Sequence, residues 1–169
     1  VNGKTYDTKG VIKSMPTYPT TKEQYMAYDR FMTETEAELT KMHDMVNTLY
    51  EAKKQVADVL KEVKDETLKA EGKKLLDALD AWDKDMVQRK SKAYDDVENF
   101  PNKFTAEYLF MINHSNSSIP RITQPALDRR VELDAQWAGL KAKGQSLLKE
   151  KIPAYNAMLW EKGIGAIRK

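Results

Sequence analysis

Apolar residues recur along most of this chain with the period of an α-helix, and the longest such run begins near residue 20. Steps of three and four residues from Tyr25 visit Tyr28, Met32, Thr35, Leu39, Met42, Val46, Leu49, Lys53, Val56, Leu60 and Val63. Ten of these twelve positions are apolar, counting tyrosine. A heptad seam of that length, with no proline or glycine inside it, predicts one helix of roughly forty residues, about 60 Å long. Thr20, with Glu23 three residues on, fits a capping box at its start.

The pattern then restarts several times. "KDETLKAEG" is expected to contain a chain reversal. A second helix follows to about residue 92, with Leu68, Gly72, Leu75, Leu79, Trp82 and Met86 on its seam. Gly72 weakens its early part, since glycine costs about 1 kcal/mol in a helix interior. Pro101 biases Phe100 away from helical geometry. A short helix is expected over 102–113, with Phe104, Tyr108, Leu109 and Ile112 on one side. Thr123 can cap a last helix, and Pro125 is tolerated in its first turn. That helix carries Leu127, Val131, Leu133, Trp137, Leu140, Leu147 and Leu148, meets a kink or restart at Pro153, and stops at Gly163. The fold class is all-α: an antiparallel bundle of three to four helices, two of them long.

Residues 1–20 break this period. "VNGKTYDTKGVIKSMPTYPT" has an Asn-Gly turn signal, β-branched residues and two prolines. "KTYDT" and "GVIKSM" read as short strands, but twenty residues are too few for a sheet of their own. The segment is expected to be the end of a preceding β-domain plus a linker, with residues 21–169 forming the helical domain.

Composition narrows the partners. The 28 basic and 26 acidic residues are interspersed, so no charge pattern points to nucleic acid. No apolar run approaches the ~18 residues of a membrane span. The chain has no cysteine, which removes disulfides and thiolate chemistry.

Candidate chemistry is sparse. His43 in "KMHDMVN" lies between Met42 and Met45, but a single histidine makes no metal site, and core or boundary packing is the plainer reading. "DALDAWDKD" holds Asp77, Asp80, Asp83 and Asp85. A regular helix face offers no cleft for a carboxylate pair, and Lys73, Lys74 and Lys84 are close enough to pair with them, so a solvated face is expected. Trp82 and Trp137 fall on apolar seams and read as core. Trp160, near the closing glycine, is the candidate exposed aromatic or interdomain contact. The segment "MINHSNSSIPRITQPALDRR" holds His114 and two glycosylation-type triplets at Asn113 and Asn116, and reads as a polar connector with a helix cap. No catalytic residue, cofactor or metal is expected.

Several strings resemble the C-terminal region of bacterial BNR/Asp-box, sortilin (Vps10)-like β-propeller proteins of the glycosyl hydrolase type. "GKTY" with the proline segment after it is similar to the end of their small β-domain. "YDRFMTETEAELTKMHDMVNTLYEAKKQVADVLK" resembles their first long helix. "DVENFPNKFTAEYLFMI", "LDAQW" and "IPAYNAMLWEKGIGAI" are similar to their later helices, with Pro153, Asn156 and Gly163 in step. The resemblance implies an extracytoplasmic parent protein whose chemistry sits in a propeller. This chain would then be a non-catalytic helical module in contact with the propeller and β-domain of the same parent chain. A self-associating or protein-binding coiled coil is the alternative, and a carbohydrate-binding module is a third reading.

Overall fold

In a computed structural model of the chain, residues 3–13, 15–116 and 119–168 are described, with the side chains of all of these except Tyr94 and Val97. Five α-helices follow in order: α1 (Lys22–Glu62), α2 (Glu66–Met86), α3 (Phe104–Ser115), α4 (Gln124–Ser146) and α5 (Ile152–Glu161), with a 3-10 turn (Tyr94–Glu98) between α2 and α3 and a π turn (Leu147–Lys151) between α4 and α5. They form an all-helical bundle built as three rods.

The first rod is α1, whose 41 residues span about 60 Å. The second is broken. α2 runs back along the C-terminal half of α1, and α3 continues in the same direction along the N-terminal half. The Thr105 hydroxyl, at the start of α3, donates to the Met86 carbonyl at the end of α2 (2.9 Å). The Tyr28 hydroxyl, near the start of α1, donates to Asn116 just past the end of α3 (3.2 Å). The third rod is α4, the π turn and α5 in continuous succession, running parallel to α1. Arg130 reaches Glu34 at one end, and Lys162 reaches Asp65 in the α1–α2 turn at the other.

The α1 seam does what its period requires. None of its twelve residues is exposed, and Met42, Val46, Leu49 and Val56 are fully enclosed. Thr35, the polar member, is buried and satisfies its hydroxyl on the Phe31 and Met32 carbonyls one turn back. Lys53 is the other exception and meets α2 through Asp80.

Several boundaries differ from the expectation, each for a local reason. The α1 capping box sits one residue later. Thr21 is the cap, its hydroxyl accepting from the Gln24 amide (3.3 Å) while Gln24 Oε1 accepts from the Thr21 amide (2.9 Å). Thr20 and Glu23 do not form the pair. The reversal takes only Val63 to Asp65, because Asp65 accepts from the Thr67 and Leu68 amides and starts α2 at once. α2 stops at Met86 and not near 92, as Val87 turns extended (φ −136°, ψ 136°) and Arg89 folds back on Asp83. α3 covers 104–115, and Leu109 is exposed while Met111 joins Phe104, Tyr108 and Ile112 inside. In α4, Leu127 and Val131 face solvent, and the buried line runs through Ala126, Leu133, Trp137 and Gly144. No strand forms among the described residues: "KTYDT" and the described part of "GVIKSM", expected as short strands, carry no regular secondary structure.

Pro153 has no N–H to donate and its ring crowds the carbonyl four residues back. The chain absorbs this by widening the preceding turn. The Ile152 amide donates to Leu147, five residues back, in the π pattern. The rod therefore continues, and Gly163 ends it in the left-handed region at φ 72°. Beyond it, Ile167 is buried, and its amide and carbonyl both bond to the Asn156 side chain (2.7 and 2.9 Å).

Gly72 and Gly144 mark where rods meet. A Cβ at Gly72 would run into the Tyr155 hydroxyl and lie 2.8 Å from Leu60 Cδ2, and one at Gly144 would lie 3.0 Å from the Trp82 ring. Gly72→Ala is therefore expected to destabilise by about 1–3 kcal/mol through overpacking, opposite in sign to helix propensity. Gly139 is exposed and meets nothing, so Gly139→Ala is expected to stabilise by up to about 1 kcal/mol. Urea melts of the two variants check the opposed signs.

Candidate functional site

Three polar clusters lie between the rods, and each is assembled from side chains one helical turn apart. The first joins α1 to α4. Glu34 and Glu38 are four residues apart on α1, and Arg130, Asp134, Trp137 and Lys141 follow in steps of four and three on α4. Glu38 Oε1 accepts from Trp137 Nε1 (2.7 Å) and Lys141 (2.9 Å), and Oε2 accepts from Lys41 (2.9 Å). Burial pushes the Glu38 carboxyl up, but the hydrogen bonds from Lys141, Trp137 and Lys41 outweigh it and bring it down to about 2. Beside it, Tyr108 donates to Asp134 (3.1 Å), and burial followed by the Asp134 charge pushes that phenol well above its usual range.

A general base works best with a pKa near the operating pH. Glu38 lies far below neutrality and both of its oxygens are engaged. Its role follows from that: it is a fixed anion pinning α4 to α1. The lowered pKa makes stability depend on acid in a defined way. The contribution is fully present above the ordinary carboxyl value of 4.5 and is lost as pH falls from there through about 2. Trp137→Phe removes one donor, so the Glu38 carboxyl is expected to titrate at a higher pH, and the acid unfolding midpoint to rise with it. Carbon-13 NMR titration of the glutamate carboxyls reads both.

The second cluster closes the end of α2. Asp83 is 3% exposed and is held by Arg89, whose Nη2 donates to Oδ1 at 2.6 Å and whose Nε is shared between Oδ2 at 3.0 Å and Oδ1 at 3.3 Å. The Arg89 guanidinium also lies 3.9 Å above the Tyr50 ring. Lys53 bridges Asp80 (2.6 Å) and Asp83 (3.8 Å), and Lys84 holds the other Asp80 oxygen. The expected solvated face therefore holds for Asp77 and Asp85 only. Asp83 faces the core because it lies four residues after Leu79 and three before Met86 on the buried side of the helix. Lys74 pairs with Glu71 and not with an aspartate.

The third is a cleft of about 380 Å³ between α3 and the start of α4, lined by Glu107, Phe110, Met111, His114, Pro125 and Arg129 among others. His114 stacks on Phe110, with ring centroids 6.1 Å apart. Arg129 is held by Glu107 (2.7 Å) and Glu132 (3.0 Å). Ser115 also borders the cleft, but it is buried and gives its hydroxyl proton to the Met111 carbonyl (2.8 Å). No base is bonded to it, so the cleft holds a histidine and a serine without the geometry of an activated nucleophile.

The remaining sequence candidates fall as follows. His43 is exposed, not packed at the core, because its neighbour Met42 takes the seam position. Trp82 and Trp137 are core, and each places its indole N–H, Trp82 on the Leu140 carbonyl (2.8 Å) and Trp137 on Glu38. Trp160 is 78% exposed. Asn113 lies inside α3 and Asn116 just past it, so the first triplet is helical and not in a connector. The second runs into Ser117 and Ser118, outside the described residues. Thr123 does occupy the cap position of α4, but its side chain makes no capping bond. The Glu34–Glu38 and Arg130–Asp134–Lys141 ladders were readable as matching charges beside two seams. The Arg89–Asp83 pair had no such signal, since Arg89 comes from irregular chain.

Among the described residues, no group of three or more His, Asp or Glu side chains is arranged to hold a metal ion, and no helix is long and apolar enough to cross a membrane. Comparison with protein-family models, with curated proteins and with solved structures finds no match for this chain.

Proposed function

We propose that this chain is a non-catalytic C-terminal helical module of a larger extracytoplasmic protein. Its work is to pack against, brace or present a β-rich body of the same parent chain, and the resemblance set out above makes that body a β-propeller of the glycosyl hydrolase type. The observation that carries the reading is the contrast between the two parts of the chain. In the bundle, the half-buried Glu38 is committed to Trp137 and two lysines and the buried Asp83 to Arg89 and Lys53. In residues 4–13, strand-forming side chains stand in water: Tyr6, Val11 and Ile12 are all strongly exposed in a segment without regular secondary structure. A chain with a finished core and exposed β-branched and aromatic side chains ahead of it suits an appendage to a sheet.

The burial of the α1 seam against α2 and α3 favours this reading over a self-associating coiled coil, which would need that seam free. The test is the native polypeptide. Intact-mass measurement of the protein from its source should give a chain much heavier than 19.4 kDa, with a β-rich circular dichroism spectrum. Any glycosidase activity should reside in the longer chain and be absent from residues 1–169. A native chain of 19.4 kDa, or hydrolysis by residues 1–169 alone, would overturn it.

A further inference from the structure

We infer that the seat between Gln55 on α1 and Asn156 on α5 is a peptide-binding site, filled in this structure by the chain's own residues 164–168. Once they are unseated, it takes a free peptide of the same chemistry: two aliphatic side chains three positions apart, the second followed by one residue whose backbone is open to bonding. This goes beyond the reading above and does not depend on the parent chain.

After Gly163 ends α5 the chain has no regular secondary structure, yet it is closely held. The Ile164 amide closes the helix on the Leu159 carbonyl (2.9 Å), and the Ile164 side chain packs partly buried against the core. Gly165 and Ala166 are exposed. Ile167 then enters the core at 3% exposure. Asn156 takes both polar backbone groups of that residue: Oδ1 accepts from the amide (2.7 Å) and Nδ2 donates to the carbonyl (2.9 Å). Gln55 does the same for Arg168. Its Oε1 accepts from the Arg168 amide (2.8 Å), and its Nε2 donates to the Arg168 carbonyl (3.1 Å) while reaching Glu51 of its own helix at 3.4 Å. Four successive main-chain groups are thus bonded by two carboxamides, one from each helix.

A carboxamide carries a donor and an acceptor side by side, so it can bond the N–H and C=O of a single residue at once. Such bonds touch main chain only and suit any residue with an N–H. Selectivity then rests on the apolar seats of residues 164 and 167. Peptide recognition divides its work in this way, with main-chain bonds for affinity and side-chain pockets for specificity. The segment is also a resident able to leave. Ile167 is its one fully buried side chain, the bonds of residues 167 and 168 go to side chains and not to a helix ladder, and Gly163 provides a hinge at φ 72°. Its tether to α5 gives it a high effective concentration, so it holds the seat against free peptides until it is unseated.

Two measurements on residues 1–169 test this. The first is amide hydrogen exchange in the wild-type chain. The Ile167 and Arg168 amides should exchange about a hundredfold faster than the Val56 amide of α1, because the segment lifts off while the bundle stays folded. A single rate for all three would mean that the segment leaves only on global unfolding, and the inference falls. The second uses Ile167→Asp, which unseats the segment, with a fluorescein-labelled synthetic peptide of residues 162–168, KGIGAIR, as the probe. Circular dichroism should show unchanged helix content. Fluorescence anisotropy should show this variant binding the peptide about tenfold more tightly than the wild-type chain, whose own segment competes. Adding Asn156→Ala or Gln55→Ala should weaken that binding by about threefold to tenfold each, and a peptide carrying Ile167→Asp should not bind. Arg168→Pro, which removes the amide that Gln55 holds and leaves Ile167 in place, serves the same comparison if Ile167→Asp does not fold. Peptide binding no tighter in the unseated variant than in the wild-type chain, or binding that Asn156→Ala and Gln55→Ala leave unchanged, overturns the inference.

Discussion

Replacing Trp82 by alanine is expected to cost about 3–5 kcal/mol, the largest loss from any single side chain in the bundle. Trp82 is 2% exposed and lies where α2 meets the third rod. Its ring lies against Gly144, so close that a Cβ there would sit 3.0 Å from it, and its indole N–H bonds the Leu140 carbonyl at 2.8 Å. Truncation opens a void that α4 can fill only by moving toward α2. That movement would pull on the Glu38–Trp137 and Glu38–Lys141 bonds one face away. Trp82→Phe separates the two contributions. It keeps most of the ring and loses the N–H, and the Leu140 carbonyl can still accept from its own helix, so a loss of only about 1–2 kcal/mol is expected. Chemical denaturation of the two variants should show alanine costing at least twice as much as phenylalanine. Equal losses would mean that the hydrogen bond, and not the packing, holds α2 to α4.

Asp83→Ala is expected to come second, at about 3 kcal/mol. Removing one member of a buried ion pair leaves the other uncompensated, at a usual cost of about 3–5 kcal/mol. Arg89 and Lys53 keep some access to water, with 38% and 23% of their side chains exposed, so the lower end applies. The loss has a second consequence. Arg89 is the anchor that turns the chain back after α2, so without Asp83 the 87–103 connector should become accessible to protease while the helices persist. Arg89→Ala should cost less alone, and in the double variant the losses should fall short of their sum by more than about 1 kcal/mol. Strict additivity would show that the pair does not act as a unit.

The bundle was legible in the sequence where one period ran undisturbed. The α1 seam needed no correction from Tyr25 to Val63, and even its two polar positions proved consistent, Thr35 bonding its own helix and Lys53 meeting Asp80. Legibility failed where a long-range partner decided the outcome. Asp83 reads as one more aspartate on a charged helix, and only the return of Arg89 from irregular chain explains its burial. Leu127 and Val131 read as core by hydropathy alone, and nothing local says that they face outward. Gly72 looked like a weakness in α2 and is instead where Tyr155 approaches the helix. The capping box slipped by one residue because Thr20-Thr21 and Glu23-Gln24 offer two equivalent registers, and side-chain geometry chooses between them. For the site, the sequence named Trp160 as the exposed aromatic, and it is exposed. At the opposite end Phe110 and Val131 are exposed as well, where folding brings the start of α1, the end of α3 and the start of α4 together.

The claim that the seam is used up inside one chain has a direct test. Light scattering on residues 1–169, coupled to size exclusion and repeated over a hundredfold range of concentration, should give 19.4 kDa throughout. The melting temperature should not change over the same range, since a self-contained fold has no concentration term in its stability. A mass near twice that value, with a melting temperature that climbs with concentration, would contradict the account, because the α1 seam would then serve a second chain.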